Sequence, residues 1–350
     1  MVKHLAEGGA QRSAARLSHI LNDLDYEVSF IALYDKRVFH HKGNYYPLDV
    51  NGDKKLNLIK KFLRFRRIVK DNDFDWIIDF RGRYSFIREF LIYKLIYKDS
   101  RKVIFTVRES EINNYFPRPF FLFRKFYRES HKIIAQTNEI KEKIKKHFNL
   151  NNVEIIPNAY NLNEIDSKSK ENLDPGNNYI LAVGRLTSIK QFDKLIEVYS
   201  KTKLAETGIK LVIVGEGEEK SFLNQRIESL ELESNVILIP FQNNPYKYMR
   251  RAKFLVLCSI NEGFPNVLVE ALACNTPVIS FEGNGVNDIV VHKENGLLVE
   301  NQNLENLKNA IENLTFDENL YNYCKQNSRS SIKRFSYDFV SPLWGELLNL

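Results

Sequence analysis

Two carboxylates, Glu262 and Glu270, stand with seven residues between them in the segment 258–277, Cys-Ser-Ile-Asn-Glu-Gly-Phe-Pro-Asn-Val-Leu-Val-Glu-Ala-Leu-Ala-Cys-Asn-Thr-Pro. The pattern reads as the end of a buried strand at 254–257, a tight loop holding Glu262, a helix over 266–273 holding Glu270, and a strand from Val278. At 1.5 Å rise per residue the two backbones would lie roughly 12 Å apart along one edge, which suits the two ends of an elongated ligand. Between them the helix N-terminus offers N–H groups near Pro265, Asn266 and Val267 to an anion, and Gly263 lets backbone approach a ligand closely. Two acceptors flanking an anion seat fit a nucleotide sugar, Glu262 taking sugar hydroxyls and Glu270 a ribose diol with a diphosphate between. The plainer alternative is a pair of solvated helix-end charges.

The run Glu-Gly-Phe-Pro-Asn-Val-Leu-Val-Glu, continued by Ala-Leu-Ala, resembles the paired-glutamate motif of retaining glycosyltransferases of family 4. That resemblance implies an α/β protein of the GT-B fold, two Rossmann-like domains facing across a cleft. It also implies roles for other residues. Gly8-Gly9-Ala-Gln-Arg resembles the family's first turn, which lies over the diphosphate. Gly184-Arg185, with Lys190 five residues on, matches the pair that holds the donor diphosphate. A leaving nucleoside diphosphate develops negative charge, which fixed cations can stabilise without a metal. Gly215-Glu-Gly is implied to lie beside the nucleotide, and Phe241 to line a uracil pocket through its backbone; Gly263, Phe264, Pro265 and Asn266 form the donor loop. Gln191 stands where glycine is frequent, at no evident cost, and Asp288 replaces a usual glutamate. Arg108 occupies a place where several members carry a histidine; with Glu109 it is an acceptor-side candidate, either clamping a phosphate or simply ion-paired at the surface. Asn158 reads as a turn residue after Pro157, with nucleotide contact as the alternative.

The elements that must position these residues alternate strand and helix. Helices are expected over 10–24, 54–70, 83–97 and 139–147, and strands over 28–33, 76–79, 103–107 and 132–135, which argues for a parallel sheet covered on both faces. Residues 1–160 form an N-terminal Rossmann-like acceptor domain and 161–331 the nucleotide-sugar donor domain, with 167–178 as a polar linker; a helix over 332–350 packs back on the first domain. Only residues 2–6 precede Gly8 as strand, fewer apolar residues than a central strand takes. Either that strand is abbreviated or the chain starts further upstream.

At 350 residues the chain suits two domains, and 43% hydrophobic content supplies two cores. No apolar run is long enough to span a bilayer. Three cysteines without metal-like spacing point to a reducing, cytoplasmic setting and no zinc site. The pairs Asp23/Asp25 and Asp73/Asp75 lie at the wrong strand ends for a metal-dependent transferase, so no metal and no cofactor beyond a UDP-linked sugar is expected. A net charge of +7 invites an anionic surface or nucleic acid, but no nucleic-acid motif accompanies it. The basic, aromatic segments 54–70 and 120–128 read as interfacial helices, with ordinary core-packing helices as the alternative. They would place the protein peripherally on the cytoplasmic face of the inner membrane.

The resulting expectation is a metal-independent hexosyl- or N-acetylhexosaminyltransferase acting on a lipid-linked saccharide in surface polysaccharide assembly, such as lipopolysaccharide or capsule. Arg185, Lys190 and Glu262 carry the chemistry. A nucleotide-sugar epimerase of the same fold, or a non-catalytic scaffold, are the alternatives; turnover of the donor distinguishes them.

Overall fold

The structure, a computed structural model, describes residues 1–6, 8–49, 58–109, 111–171, 178–283 and 285–349. It divides into two compact units, Met1–Tyr160 with Tyr337–Leu350, and Asn161–Ser336.

The first unit runs α1 (Gly9–Asp23), β1 (Ser29–Ala32), β2 (Asn44–Pro47), α2 (Leu58–Asn72), β3 (Ile77–Asp79), α3 (Phe86–Ile92), β4 (Val103–Val107), α4 (Arg124–Glu129), β5 (Lys132–Ala135), α5 (Asn138–Phe148) and β6 (Val153–Ile155). β3, β4, β5 and β6 pair in that order, all parallel, and β1 pairs with β2. Every residue of β4 is buried, as a continuous Val-Ile-Phe-Thr-Val run requires when helices cover both faces. Before Gly8 the expected first strand is reduced to two parallel bridges, Val2 to Ala32 and Leu5 to Arg37. Both side chains are nonetheless fully buried.

Three readings of the sequence change here, and part of a fourth goes undescribed. β2 was not foreseen. The helix expected over 83–97 is α3 followed by a separate π-helical turn, Tyr93–Tyr97. Part of the helix expected over 54–70, residues 54–57, lies outside the described residues. The segment 120–128 is not one interfacial helix but a 3-10 turn, Phe120–Leu122, then α4. Phe123 and Tyr127 are buried in it, packed edge-on against Tyr93. An amphipathic stripe looks the same whether it faces lipid or a core; here Phe123 and Tyr127 face the core while Phe121 and Leu122 are exposed.

The second unit runs α6 (Leu162–Ser169), β7 (Tyr179–Val183), α7 (Phe192–Ser200), β8 (Lys210–Val214), α8 (Lys220–Ser229), β9 (Val236–Ile239), α9 (Tyr246–Arg251), β10 (Leu255–Leu257), α10 (Asn266–Ala273), β11 (Val278–Phe281), β12 (Gly296–Val299), α11 (Leu304–Phe316) and α12 (Glu318–Ser331). Residues 167–169, expected as linker, are helical in α6, and 172–177 lie outside the described residues. The six strands are parallel in the order β12-β11-β10-β7-β8-β9. Strand order reverses between β7 and β10, and ligands of open α/β sheets bind outside the carboxyl ends of strands at such a switch point. A final helix, α13 (Tyr337–Asn349), belongs to the first unit and buries Val340 and Trp344 in the core cluster that contains Leu17 and Leu21 of α1.

Candidate active site

The loops that leave β7 and β10 are stitched together. The chain after β7 reaches a 3-10 turn, Ser188–Lys190, and the Ile260 N–H donates to the Ile189 carbonyl at 2.9 Å. Cys258, fully buried, sets its thiol 3.3 Å from the carbonyls of both Lys190 and Gln191. Burial pushes that thiol up to about 12. It stays protonated and can donate to this loop. The two loops thereby bring Lys190 Nζ into a charge-assisted hydrogen bond with Glu262 Oε1. Neither partner is sealed, their side chains being 21% and 16% exposed, so an incoming anion can compete for the lysine.

Gln191 ends the turn at φ +50°, in the left-handed region. Its replacement of the frequent glycine therefore carries a cost of roughly 1–2 kcal/mol, contrary to the sequence expectation.

Two glycine contacts fix the loops further. A Cβ on Gly215 would sit 1.9 Å from the Gly184 carbonyl oxygen, and one on Gly217 2.2 Å from that of Leu186. The Gly-Glu-Gly turn is thus required for close packing beneath Gly184, whose own N–H donates to Val214. Gly285, in the run 283–290 that carries Asp288, has φ +70° and presses on the Gly263 carbonyl. Phe264 is buried and meets Phe335 edge-on at 5.4 Å. The loop that carries Glu262 is therefore held by packing against Gly285 and Phe335.

α10 starts after Pro265 with no side-chain cap and no acidic residue in its first turn, and Asn266 is its first residue. Glu270 lies one turn in and is 3% exposed. Arg185 is exposed beside Gly184, and Phe241 is 57% exposed after β9 rather than a core aromatic. Lys190, with Gly184 and Arg185 earlier on its loop, and the segment from Glu262 through Gly263, Phe264, Pro265 and Asn266 to Glu270 therefore come together through the two stitched loops, and Gly215, on the turn after β8, packs against Gly184. Gly8 and Gly9 belong to the first unit, where Gly8 precedes α1 at φ +91° and no side chain caps the helix.

The first unit has its own polar centre. Asn158, expected at a turn, is 3% exposed, and its Oδ1 accepts from Ser13 Oγ and from Arg108 Nη1, both at 2.7 Å. Gln136, oriented so that both ends of its amide are satisfied, donates to the Arg108 carbonyl at 2.9 Å and accepts from Arg108 Nη1 at 3.1 Å. Arg108 itself is 8% exposed, stacks on Phe80 at 4.7 Å, and has no hydrogen-bond partner at Nε among the described residues. It is thus no surface ion pair; burial lowers its pKa to about 10, still charged at neutral pH. Glu109 is exposed.

A second buried network went unread in the sequence. Arg81 donates to Asp79 at 2.8 Å and to Glu89 at 3.2 Å, and Tyr97 donates to Asp79 at 2.9 Å, all four side chains being buried. Burial alone would raise the Asp79 carboxyl, but Arg81 and Arg83 hold it well below the usual carboxylate range.

Among the described residues no three metal-ligating side chains converge, and no helix is long and apolar enough to cross a membrane.

Comparison with known proteins agrees with this arrangement. Residues 163–331 match the family described as glycosyl transferases group 1, and residues 7–164 match glycosyltransferase family 4. The chain is 30% identical over 346 residues to an N-acetylgalactosamine-N,N'-diacetylbacillosaminyl-diphospho-undecaprenol 4-alpha-N-acetylgalactosaminyltransferase of Campylobacter jejuni, covering 95% of this chain and 93% of that protein. It is 26% identical to the amylovoran biosynthesis glycosyltransferase AmsD of Erwinia amylovora, over 98% of this chain and 96% of that one. The crystal structure of Anabaena Alr3699/HepE in complex with UDP superposes with a TM-score of 0.76 at 17% identity, covering 99% of this chain and 98% of the other.

Proposed function

The chain belongs to glycosyltransferase family 4 and has the GT-B fold; from that premise we propose that it moves a hexosyl or N-acetylhexosaminyl group from a UDP-sugar, with retention of configuration, to a lipid-linked saccharide. It is a glycosyltransferase of glycan assembly; donor, stereochemistry and acceptor are the finer parts of the reading. The observation that carries it is the Lys190–Glu262 contact, held by two stitched loops at the switch point of the second unit's sheet. That contact sets a cation and a sugar-hydroxyl acceptor side by side.

In this reading the donor diphosphate displaces Glu262 from Lys190 and takes the ammonium for itself, with Arg185 as a second cation. Both then face the charge that develops as the nucleoside diphosphate leaves, which preorganised donors stabilise most. Glu262, freed, accepts hydroxyls of the transferred sugar, and Glu270 accepts the ribose diol. Retention without a protein nucleophile follows if the acceptor hydroxyl attacks from the face that the diphosphate leaves, the diphosphate taking its proton. Two fixed cations make a metal unnecessary to that step. Arg108 Nε and Glu109 remain the acceptor-side candidates.

Support for a UDP-sugar comes from the UDP complex of the Anabaena relative, and for a lipid-linked acceptor from the name of the Campylobacter relative. Peripheral membrane placement rests on α2, where Leu58, Ile59 and Leu63 are exposed among Lys60, Arg64, Arg66 and Arg67. On α3 and the turn after it, Ile87, Leu91 and Leu95 are exposed at four-residue spacing.

The test is nucleotide release from a panel of UDP- and GDP-sugars, with and without a polyprenyl-diphosphate saccharide, for the native protein and Glu262→Ala. The reading expects release with one UDP-sugar that depends on acceptor and disappears in the variant. Equal release by the variant would remove Glu262 from the site.

A further inference from the structure

The second unit carries a cavity of about 470 Å³ at the opposite edge of its sheet, where β7 and β10 begin rather than end. Its walls come from the end of α6, the end of α9, the residues leading into β10, and α12, and they present Lys170, Arg250, Arg251, Lys253 and Lys325 around Tyr321. The Lys253 N–H donates to the carbonyl of Tyr179, the first residue of β7. With five residues in β7, at about 3.3 Å each, this edge lies roughly 16 Å along the strand from the loops that hold Lys190 and Glu262.

Two of the five cations have a carboxylate. Lys170 and Arg250 both engage Asp166, at 2.6 and 3.2 Å, and that carboxylate also pairs with Arg329 at 3.3 Å. The other three have no acidic partner among the described residues. Arg251 is held by the carbonyls of Glu171 and Lys247, at 3.0 and 3.2 Å. Lys253 and Lys325 lie 5.6 and 5.3 Å from the Tyr321 ring centroid, and Lys325 donates to the Tyr321 hydroxyl at 3.2 Å. The tyrosine thereby keeps its own hydroxyl proton for an outside acceptor. Three cations without an acidic partner among the described residues, facing one cavity, repel one another, and a multivalent anion relieves that repulsion.

We propose that this basin is a second anion site, separate from the donor site, and that it takes a phosphate-bearing group of about three negative charges, of the diphosphate class. Arg251 supplies a planar fork to one phosphate, Lys253 and Lys325 neutralise the other, and Tyr321 donates a neutral hydrogen bond. A free diphosphate offers this charge on one molecule, whereas an anionic phospholipid surface, with one phosphate and one charge per headgroup, offers it only from two or three headgroups together.

The experiment uses the full chain carrying Arg185→Gln and Lys190→Gln, so that the donor-site cations do not report. Inorganic pyrophosphate is titrated by calorimetry, and flotation is measured with phosphatidylglycerol and phosphatidylcholine vesicles. Two versions are compared with this parent, one adding Arg251→Gln, Lys253→Gln and Lys325→Gln, the other only Lys253→Gln and Lys325→Gln, which leaves the carbonyl bonds of Arg251 intact. Saturable pyrophosphate binding that weakens at least tenfold in both identifies a free-anion site. Flotation with phosphatidylglycerol alone, lost in both, identifies a headgroup site. Binding of neither probe by the parent, or undiminished binding by the double lysine variant, overturns the proposal.

Discussion

Replacing Gly285 by alanine should cripple turnover by displacing the backbone of Gly263 and Phe264, next to Glu262. Its Cβ would lie 2.2 Å from the Gly263 carbonyl oxygen, 2.8 Å from that carbonyl carbon and 3.0 Å from Phe264 Cα, against 3.4 Å for ordinary contact. The loop that carries Glu262 must therefore shift by about 1 Å, and a misplacement of that size costs about 100-fold in rate. The left-handed φ of +70° costs alanine a further 1–2 kcal/mol or so in stability, and the overpacking roughly 1–3 kcal/mol. Two control variants separate these effects. Gly208 has φ +72° with nothing within 4 Å, so Gly208→Ala should lose about 1–2 kcal/mol and no activity. Gly283 has no positive φ and nothing within 4 Å, so Gly283→Ala should change neither. The assay is donor turnover at saturating substrate beside urea unfolding of each variant. A folded Gly285→Ala enzyme working at the native rate would refute the reasoning, as would an equal loss of rate in Gly208→Ala.

Lys190→Ala should lower kcat by about 10²–10³, the usual loss for one preorganised donor to a developing anion. Its stability should change by only about 1 kcal/mol, because the Glu262 pair is partly solvated; steady-state kinetics beside thermal unfolding checks both. Asn158→Ala removes the shared acceptor of Ser13 and Arg108 and should cost about 3 kcal/mol in urea unfolding. The three cysteines are buried and free, so none should react with a thiol reagent at pH 8 until the chain unfolds. Burial raises the Cys258 thiol from 9.0 to about 12, so the folded state holds a proton that the unfolded state releases. The associated stability is complete below pH 9 and falls as pH rises toward 12, which alkaline unfolding of Cys258→Ala against the native protein would register as a shallower decline.

What could be read in advance divides by sequence distance. The loop and helix around Glu262 and Glu270 were legible because apolar period, proline and glycine fall within twenty consecutive residues, and α10 spans Asn266–Ala273 as the pattern requires. The Lys190–Glu262 contact joins residues 72 positions apart and depends on β7 lying beside β10, which no local pattern could give. Gly285 and Cys258 act through packing against loops distant in sequence, so neither carries a local signal. Arg81 and Glu89 look like surface charges until β3 and α3 bury them with Asp79. The segment 120–128 divides, since one basic and aromatic alternation covers a pair that fills the core, Phe123 and Tyr127, and a pair that stays exposed, Phe121 and Leu122, and no local pattern separates the two.

The most direct test of the central claim is the stereochemistry of the first product. The native protein is run with its preferred UDP-sugar and lipid-linked acceptor, and the anomeric proton of the new linkage is followed by NMR from the earliest turnovers. The account predicts the donor's own anomer from the first product onward, with no signal from the Lys190→Ala enzyme above about 1% of the native rate. The opposite anomer would contradict attack on the face that the diphosphate leaves, and with it the roles given to Lys190 and Glu262.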